Sequence, residues 1–124
     1  LMVCSLVLET VSDQQMWNFQ ERKRKASEAG LPAPQGAFIQ HGLWKWSRHP
    51  NLFFEAANWW IFALFGLVGA GLNMLPFLAG AVVLTALLQG SIAFTESITI
   101  LRYPDFATRQ KLVSSFIPLP KRRE

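Results

Sequence analysis

Residues 42–55 read GLWKWSRHPNLFFE, and the remainder of the chain is organised around them. They bring two bases, a histidine, an amide and a carboxylate to the start of the run 56–95, which contains no charged residue. Pro50 suits the first turn of a helix, because its missing N–H would be unpaired there in any case. With Arg48 and His49 just before it, that helix N-terminus predicts an anion-binding site. The alternative interpretation is a basic anchor at a membrane edge, where lysine and arginine are common.

The composition indicates a membrane protein of one domain at most. The chain has 124 residues, of which 51% are hydrophobic and only 16% charged, and its formal net charge is +4. The single cysteine, Cys4, excludes a disulfide framework and a cysteine-based metal site. His41 and His49 flank a short turn without a second pair of ligands nearby, so the sequence predicts no metal site.

Two segments, 52–72 and 77–94, are long enough to cross a bilayer at roughly 20 residues per crossing. Between them, residues 73–76 make a tight break, and their proline suits the first turn of the second helix. We therefore predict an all-α membrane protein with a two-span hairpin, surrounded by a lipid bilayer. A buried hairpin in a soluble protein is disfavoured, since so long an uncharged run would need a large protein around it.

The distribution of charge predicts the orientation of the hairpin. All 12 lysines and arginines lie before residue 56 or after residue 95, and the far turn carries none. This pattern matches the rule that basic residues stay on the cytosolic side of a membrane. Both ends of the hairpin, and any cofactor pocket that they build, are therefore expected to face the cytosol.

The first residues, 1–20, are predicted to be the end of a transmembrane helix that begins outside this sequence. Their apolar run is too short to span a bilayer, so we expect the chain to be the C-terminal part of a multi-span helical bundle with a truncated first helix. Glu9 and Asp13 are four residues apart and share a helical face, where they repel each other unless a cation or a hydrogen-bond donor lies opposite. A solvated helix end is the alternative interpretation.

The basic run at residues 21–25 favours a membrane surface over nucleic acid as its partner. No interleaved aromatic residue or nucleic-acid fold signature accompanies it. Residues 30–36 contain two prolines and two glycines and predict a loop.

Residues 95–124 predict a cytosolic segment that contributes to a cofactor pocket. Glu96 and Tyr103 share a helical face until Pro104 interrupts the helix. A short polar helix is predicted at 107–115, followed by an apolar extended end and a basic tail.

The polar motifs occur in an order that resembles a known family. They are Asp13-Gln14, Gly42-Leu43-Trp44, Ser47-Arg48-His49-Pro50-Asn51 with Glu55, Glu96, Tyr103-Pro104 and Phe116-Ile117-Pro118. Over nearly the whole chain, 1–124, this order resembles the C-terminal domain of the steroid 5-alpha-reductase-like family, and most closely its branch of largely uncharacterised members. The wider superfamily includes sterol C14- and delta-7-reductases and isoprenylcysteine carboxyl methyltransferases. One departure from the family pattern is Leu52, where a tyrosine is frequent.

The resemblance implies a cytosol-facing cofactor pocket, which holds NADPH in the reductases and S-adenosylmethionine in the methyltransferases. The positions that it carries over are Asp13, Arg48, His49, Asn51, Glu55 and Tyr103, together with Glu9, Lys45, Glu96 and Arg109.

The chemistry of these side chains fits such a pocket. Arg48 and His49 at a helix N-terminus would hold phosphate oxygens, and Asn51 would read an amide or a ribose hydroxyl. Glu55 lies one turn inside the apolar helix, where an isolated carboxylate is costly and usually faces a polar cavity. Tyr103 would stack on the cofactor or donate a hydrogen bond to it.

Three functions are compatible with the sequence. The first is an NADPH-dependent reductase of a carbon–carbon double bond in a sterol or other lipid. The second is an S-adenosylmethionine-dependent methyltransferase of the isoprenylcysteine type, and the third is a membrane scaffold without activity. The clustered cations favour the reductase, because NADPH carries several phosphate charges and S-adenosylmethionine carries none. The resemblance places the substrate cavity and its proton donor partly in the protein's own N-terminal transmembrane region, and it implies the endoplasmic reticulum membrane if the protein is eukaryotic.

Overall fold

The computed structural model describes residues 1–34 and 36–122, including their side chains except those of Leu72 and Met74. These residues form four α-helices, which are α1 (Met2–Glu28), α2 (Pro50–Ala70), α3 (Leu75–Arg102) and α4 (Phe106–Leu112), and two 3-10 turns, Gly42–Lys45 and Gly71–Met74. Helix accounts for 75% of the chain, and the described part contains no strand. A lone parallel bridge joins Ser47 to Ser114. The predicted all-α fold class is confirmed.

Helix α1 is long because nothing in its sequence stops it before Gly30. There the backbone turns to a φ of 68°, and the N–H of Leu31 returns to the carbonyl of Ala26. Its buried residues recur every seven positions, at Ser5, Ser12, Phe19 and Ala26. This spacing keeps one stripe of the helix against its neighbours. Since two of the four are serines, helix α1 lies close to α2, and the Ser5 hydroxyl donates to the Phe54 carbonyl at 3.2 Å.

Helices α2 and α3 form the predicted hairpin. Pro50 occupies the first turn of α2, and the helix ends at Gly71, whose φ of 63° favours glycine. Helix α2 is shifted by two residues from the expected span 52–72. Helix α3 begins two residues before the expected span 77–94 and continues eight residues beyond it, so the segment from residue 95 starts as helix. Pro104 then prevents further helix, as its position predicts.

The outward faces of the hairpin are apolar. Both helices are long and apolar enough to cross a membrane. Large side chains such as Phe65, Val68, Leu87 and Phe94 are more than 60% exposed along them. Water is a poor solvent for so much contiguous apolar surface, so these faces indicate a lipid bilayer environment.

A small core closes the opposite end of the molecule, where Phe19, Ile39 and Trp44 pack together with Met16 against them. The loop after α1 therefore folds back onto that helix. Gly42 makes this return possible, because its φ is 60° and a Cβ there would collide with the Gln15 side chain. The Gln15 amide oxygen accepts the N–H of Leu43 at 3.1 Å.

The C-terminal tail is fastened to the stretch 42–55. The N–H of Arg48 donates to the Ser114 carbonyl at 2.8 Å, and the N–H of Leu119 donates to the Trp46 carbonyl at 3.0 Å. The fully buried Ser47 hydroxyl donates to the Phe116 carbonyl at 2.8 Å. The short polar helix that precedes this tail is Phe106–Leu112, one residue earlier at its start than predicted and three residues shorter at its end.

Candidate functional site

A cavity of about 490 Å³ lies where the second half of α1, the start of α2 and the end of α3 meet. The loop after α1 and helix α4 contribute the remaining walls. Six of the ten residues expected at the cofactor pocket line this cavity, namely Arg48, His49, Asn51, Glu96, Tyr103 and Arg109. Helix α3 continues past its apolar segment to Arg102. This extension brings Glu96, and Tyr103 directly after the helix, to the N-terminal end of α2, which is more than forty residues away in sequence.

Glu96 is the centre of the hydrogen-bond network in the cavity. Its carboxylate accepts the His49 Nε2 at 2.9 Å and the Gln110 Nε2 at 2.8 Å, and its Oε1 lies 3.2 Å from the Arg48 Nε. Because the carboxylate only accepts, Nε2 of His49 carries a proton. The positive charge of Arg48, just before the N-terminus of α2, is therefore partly neutralised by the Glu96 carboxylate.

Arg48 keeps unused donors in spite of this ion pair. Its Nε is near Glu96 but poorly directed for a hydrogen bond, and its Nη1 has no partner among the described residues. Burial of the guanidinium lowers the pKa of Arg48, and the Glu96 charge opposes that shift. The Asn51 Oδ1 is a second buried atom to which the described side chains and backbone offer no donor. The cavity thus holds a free cationic donor and a free acceptor on one wall.

Arg109 is a buried cation fixed by the backbone. Its Nη2 donates to the Trp44 carbonyl at 2.8 Å, and its guanidinium lies 5.7 Å from the centre of the Phe38 ring. Burial lowers the pKa of Arg109 to about 10, with a further contribution from the positive charge of Arg48. The guanidinium remains charged at neutral pH and adds a fixed positive potential to the cavity.

Lys23 joins α1 to the far wall of the cavity. Its ammonium donates to the Ala37 carbonyl at 2.9 Å and to the Tyr103 hydroxyl at 3.2 Å. This hydrogen bond and the lysine charge lower the pKa of Tyr103. Sequence reasoning assigned Lys23 to a basic membrane-surface run. Its spacing of four residues from Phe19 puts both on one face of α1, and that spacing was the available signal.

The other four residues expected at the cofactor pocket, namely Glu9, Asp13, Lys45 and Glu55, do not line this cavity. Glu9 accepts a hydrogen bond from Asn58 Nδ2 of α2 at 2.6 Å, while Asp13 is exposed. Lys45 is exposed, with its ammonium 5.9 Å from the Trp46 ring centre. Glu55 is half-buried one turn after Asn51 in α2. It does not line the cation-lined cavity, although the sequence predicted that it faces the cofactor pocket.

Together, the fold and the site define an all-helical protein with two helices fit to cross a membrane and a cation-lined cavity at one end of them. The chain belongs to the family described as "Protein of unknown function (DUF1295)", which matches residues 1–113. That family is related to the steroid 5-alpha-reductase-like proteins.

The chain is also similar to an uncharacterized protein of Schizosaccharomyces pombe. The two are 29% identical over 127 residues, which cover 95% of this chain and 37% of that protein. The chain therefore spans little more than a third of the length of this relative. No solved structure matches the chain.

Proposed function

We propose that this chain is the cofactor-binding part of an integral membrane NADPH-dependent reductase, which saturates a carbon–carbon double bond in a sterol or other lipid. The charge of the cavity carries the proposal. Four permanent cations, Lys23, Arg48, Arg102 and Arg109, line its wall together with one carboxylate, that of Glu96. Such an excess of positive charge in a concave, partly apolar site favours a ligand with several negative charges.

The residues present fit the phosphate-bearing part of NADPH. The free Nη1 of Arg48 is a charged donor for a phosphate oxygen, and the free Oδ1 of Asn51 is an acceptor for a ribose hydroxyl or a carboxamide N–H. Lys23 and Arg102 bring further cations to the same cavity. When bound there, NADPH would supply the hydride for the reduction.

The network around Glu96 would orient these groups. The carboxylate accepts from His49 and Gln110 and pairs with Arg48, so it limits the rotation of the Arg48 side chain. A guanidinium held in one orientation loses less entropy when it binds a phosphate. We assign Glu96 a positioning role and Arg48 a role in direct binding.

The remaining parts of the enzyme are expected outside this chain. The chain spans 37% of the length of its fission-yeast relative. We place the lipid substrate and the proton donor in the N-terminal transmembrane region, and the cavity on the cytosolic side because basic residues flank it. In a eukaryote the membrane would be that of the endoplasmic reticulum.

A methyltransferase that uses S-adenosylmethionine is the alternative function. That cofactor carries a positive sulfonium group and no phosphate, so the cations of this cavity would oppose part of it. The charge balance of the cavity wall therefore favours NADPH.

Equilibrium binding to the full-length protein in lipid nanodiscs tests the proposal, with NADPH and S-adenosylmethionine titrated separately. We expect saturable binding of NADPH and none of S-adenosylmethionine at the same concentrations. Binding of S-adenosylmethionine with no response to NADPH would replace the reductase by the methyltransferase.

A further inference from the structure

The C-terminal residues 113–122, called the strap from here on, are fixed beside the first turn of α2. The ring of Phe116 packs edge to face on the Phe53 ring of α2, with the ring centroids 5.5 Å apart. Further along, the N–H of Leu119 donates to the Trp46 carbonyl at 3.0 Å. Side-chain packing and backbone hydrogen bonds thus hold the strap, and its outward side chains have a defined place at this end of α2.

Three large apolar side chains are nevertheless exposed on the strap and beside it. Trp46 is 45% exposed, Ile117 54% and Leu119 48%. Pro118 and Pro120 flank Leu119 and fix the backbone φ on both sides of it, so the strap has little freedom to turn these side chains inward. Large apolar side chains that are grouped at a surface in this way mark an interaction site.

Three cations accompany these apolar side chains without a compensating acid. Lys45 precedes Trp46 and places its ammonium 5.9 Å from the indole ring centre. Lys121 and Arg122 end the strap, and all three cations are exposed. Residues 106–122 contain no aspartate or glutamate, and the ion pairs in the part of the chain that the structure describes involve none of the three.

The basic run 21–25 on α1 differs in this respect. Arg24 lies 2.7 Å from a carboxylate oxygen of Glu21 and 2.6 Å from one of Glu28, and Lys25 lies 3.6 Å from Glu21. The sequence favoured a membrane surface as the partner of this run. In the structure its charge is partly neutralised by acids of the same helix, whereas the charge of the strap is not.

The length of α2 sets the level of the strap in the membrane. Its 21 residues extend over about 32 Å at roughly 1.5 Å per residue, close to the thickness of about 30 Å of a hydrocarbon core. When α2 crosses the bilayer, Pro50 at its start lies at the level of the lipid headgroups, and Trp46 and the strap lie beside it. Tryptophan is enriched at that level, because its ring has an apolar body and a polar N–H.

We infer that this surface binds the headgroups of anionic phospholipids. It is called the strap patch and consists of Trp46, Ile117, Leu119, Lys45, Lys121 and Arg122. Its cations attract the negative headgroups, and its apolar side chains insert between the adjoining acyl chains. None of these residues lines the cation-lined cavity, so the inference goes beyond the proposed function and does not depend on it.

Photolabelling of the full-length protein in phosphatidylcholine nanodiscs tests the strap patch. The probe is a trace of phosphatidylserine with a diazirine in its acyl chain beside the headgroup, and the reference is phosphatidylcholine with the same diazirine. We expect phosphatidylserine to label peptides that contain Trp46 or Leu119 about fivefold more than phosphatidylcholine does, which is the preference that one basic residue near a headgroup confers. Equal labelling by the two lipids, or no labelling of these peptides by either, overturns the inference.

Matched charge substitutions separate the strap patch from the basic run on α1. One variant carries Lys45→Gln, Lys121→Gln and Arg122→Gln. Its labelling by phosphatidylserine should fall to the level of phosphatidylcholine. The control removes the same number of cations from α1 and carries Arg22→Gln, Arg24→Gln and Lys25→Gln. A preference for phosphatidylserine that survives in the first variant, or that is lost in the control, overturns the inference.

Salt dependence tests the contact without any substitution, and it decides if the first variant does not fold. Raising the salt concentration from about 0.1 M to about 1 M shortens the Debye length from roughly 10 Å to roughly 3 Å. In the unaltered protein the preference for phosphatidylserine should then disappear, because exposed cations are screened. A preference that persists at the higher salt concentration contradicts an electrostatic contact with the headgroups.

Discussion

Glu96→Gln is the substitution that most directly tests the network of the cavity. The side chains of Arg48 and Glu96 are each only 9% exposed, so water screens their interaction weakly. Removing one partner of a buried ion pair costs about 3–5 kcal/mol, because the other charge stays buried without compensation. Glutamine keeps the shape of glutamate and still accepts a hydrogen bond through its oxygen. We therefore expect a loss in the free energy of unfolding of about 3 kcal/mol, at the lower end of that range.

A double-mutant cycle isolates the contribution of the pair. Arg48→Met leaves the Glu96 carboxylate with its hydrogen bonds from His49 and Gln110. The double variant removes both charges, so its destabilisation should fall short of the sum of the single changes by about 1–3 kcal/mol. Reversible unfolding of the full-length protein in mixed micelles, followed by tryptophan fluorescence, measures each free energy.

Glu21→Gln is the matched control for that cycle. It makes the same chemical change in a solvent-exposed cluster, where Glu21 and Arg24 are 2.7 Å apart. Exposed pairs contribute little to stability, so no measurable change is expected. The reasoning would be refuted by a Glu96→Gln variant as stable as the control, or by strict additivity in the cycle.

Three further predictions concern the parts of the fold around the cavity. Lys23→Met should raise the pKa of Tyr103, measured as the tyrosinate absorbance that is lost in a Tyr103→Phe difference spectrum. Because the pKa of the phenol is lowered in the folded state, its ionisation stabilises the fold as the pH rises towards the ordinary pKa of 10.0, and this gain in stability should vanish in Lys23→Met. An unchanged Tyr103 titration in Lys23→Met would contradict the Lys23 contact. Gly42→Ala should destabilise the fold by at least about 1 kcal/mol in chemical unfolding, because φ is 60° there, and a neutral effect would argue against the tight return. In a background without the native cysteine, cysteines placed at Asn73 and Lys121 should be labelled from opposite sides of the membrane, and labelling from one side would refute the two-span hairpin.

The hairpin was predictable because its signals are local. An uncharged run of sufficient length, a proline in the first turn of each helix and a glycine at the end of α2 are all legible in the sequence. The helix bounds differ from the expected ones by two residues at three of the four ends, since hydropathy marks the apolar segment and not the hydrogen-bonded helix. The fourth end differs more, because α3 continues past the apolar run to Arg102.

The composition of the cavity was predictable only in part. Arg48, His49 and Asn51 are fixed near one another by the start of α2, so the sequence places them together. The spacing of Lys23 from Phe19 places both on one face of α1, but the contact of the Lys23 ammonium with the Ala37 carbonyl depends on the loop after α1 folding back, and this tertiary contact has no local signal. Glu9 was expected beside the cofactor, but its partner is Asn58.

The position of Asn58 on α2 is partly predictable from its spacing in the sequence. It follows Asn51 and Glu55 on one face of α2, and a polar stripe of that kind is visible in the sequence. That the stripe meets Glu9 follows only from the packing of α1 on α2. The unpaired Asn58 oxygen is a property of the folded arrangement alone.

The most direct test of the central claim is the affinity of the full-length protein for NADPH with and without the Arg48 guanidinium. Arg48→Ala removes a charge-assisted hydrogen bond, which contributes about 1.5–3 kcal/mol, so the dissociation constant should rise roughly tenfold to a hundredfold. Parallel titration with NADH locates the contact: loss of affinity for NADPH alone assigns Arg48 to the 2′-phosphate, and equal loss for both assigns it to the pyrophosphate. Unchanged NADPH affinity in Arg48→Ala would contradict the proposed role of the cavity.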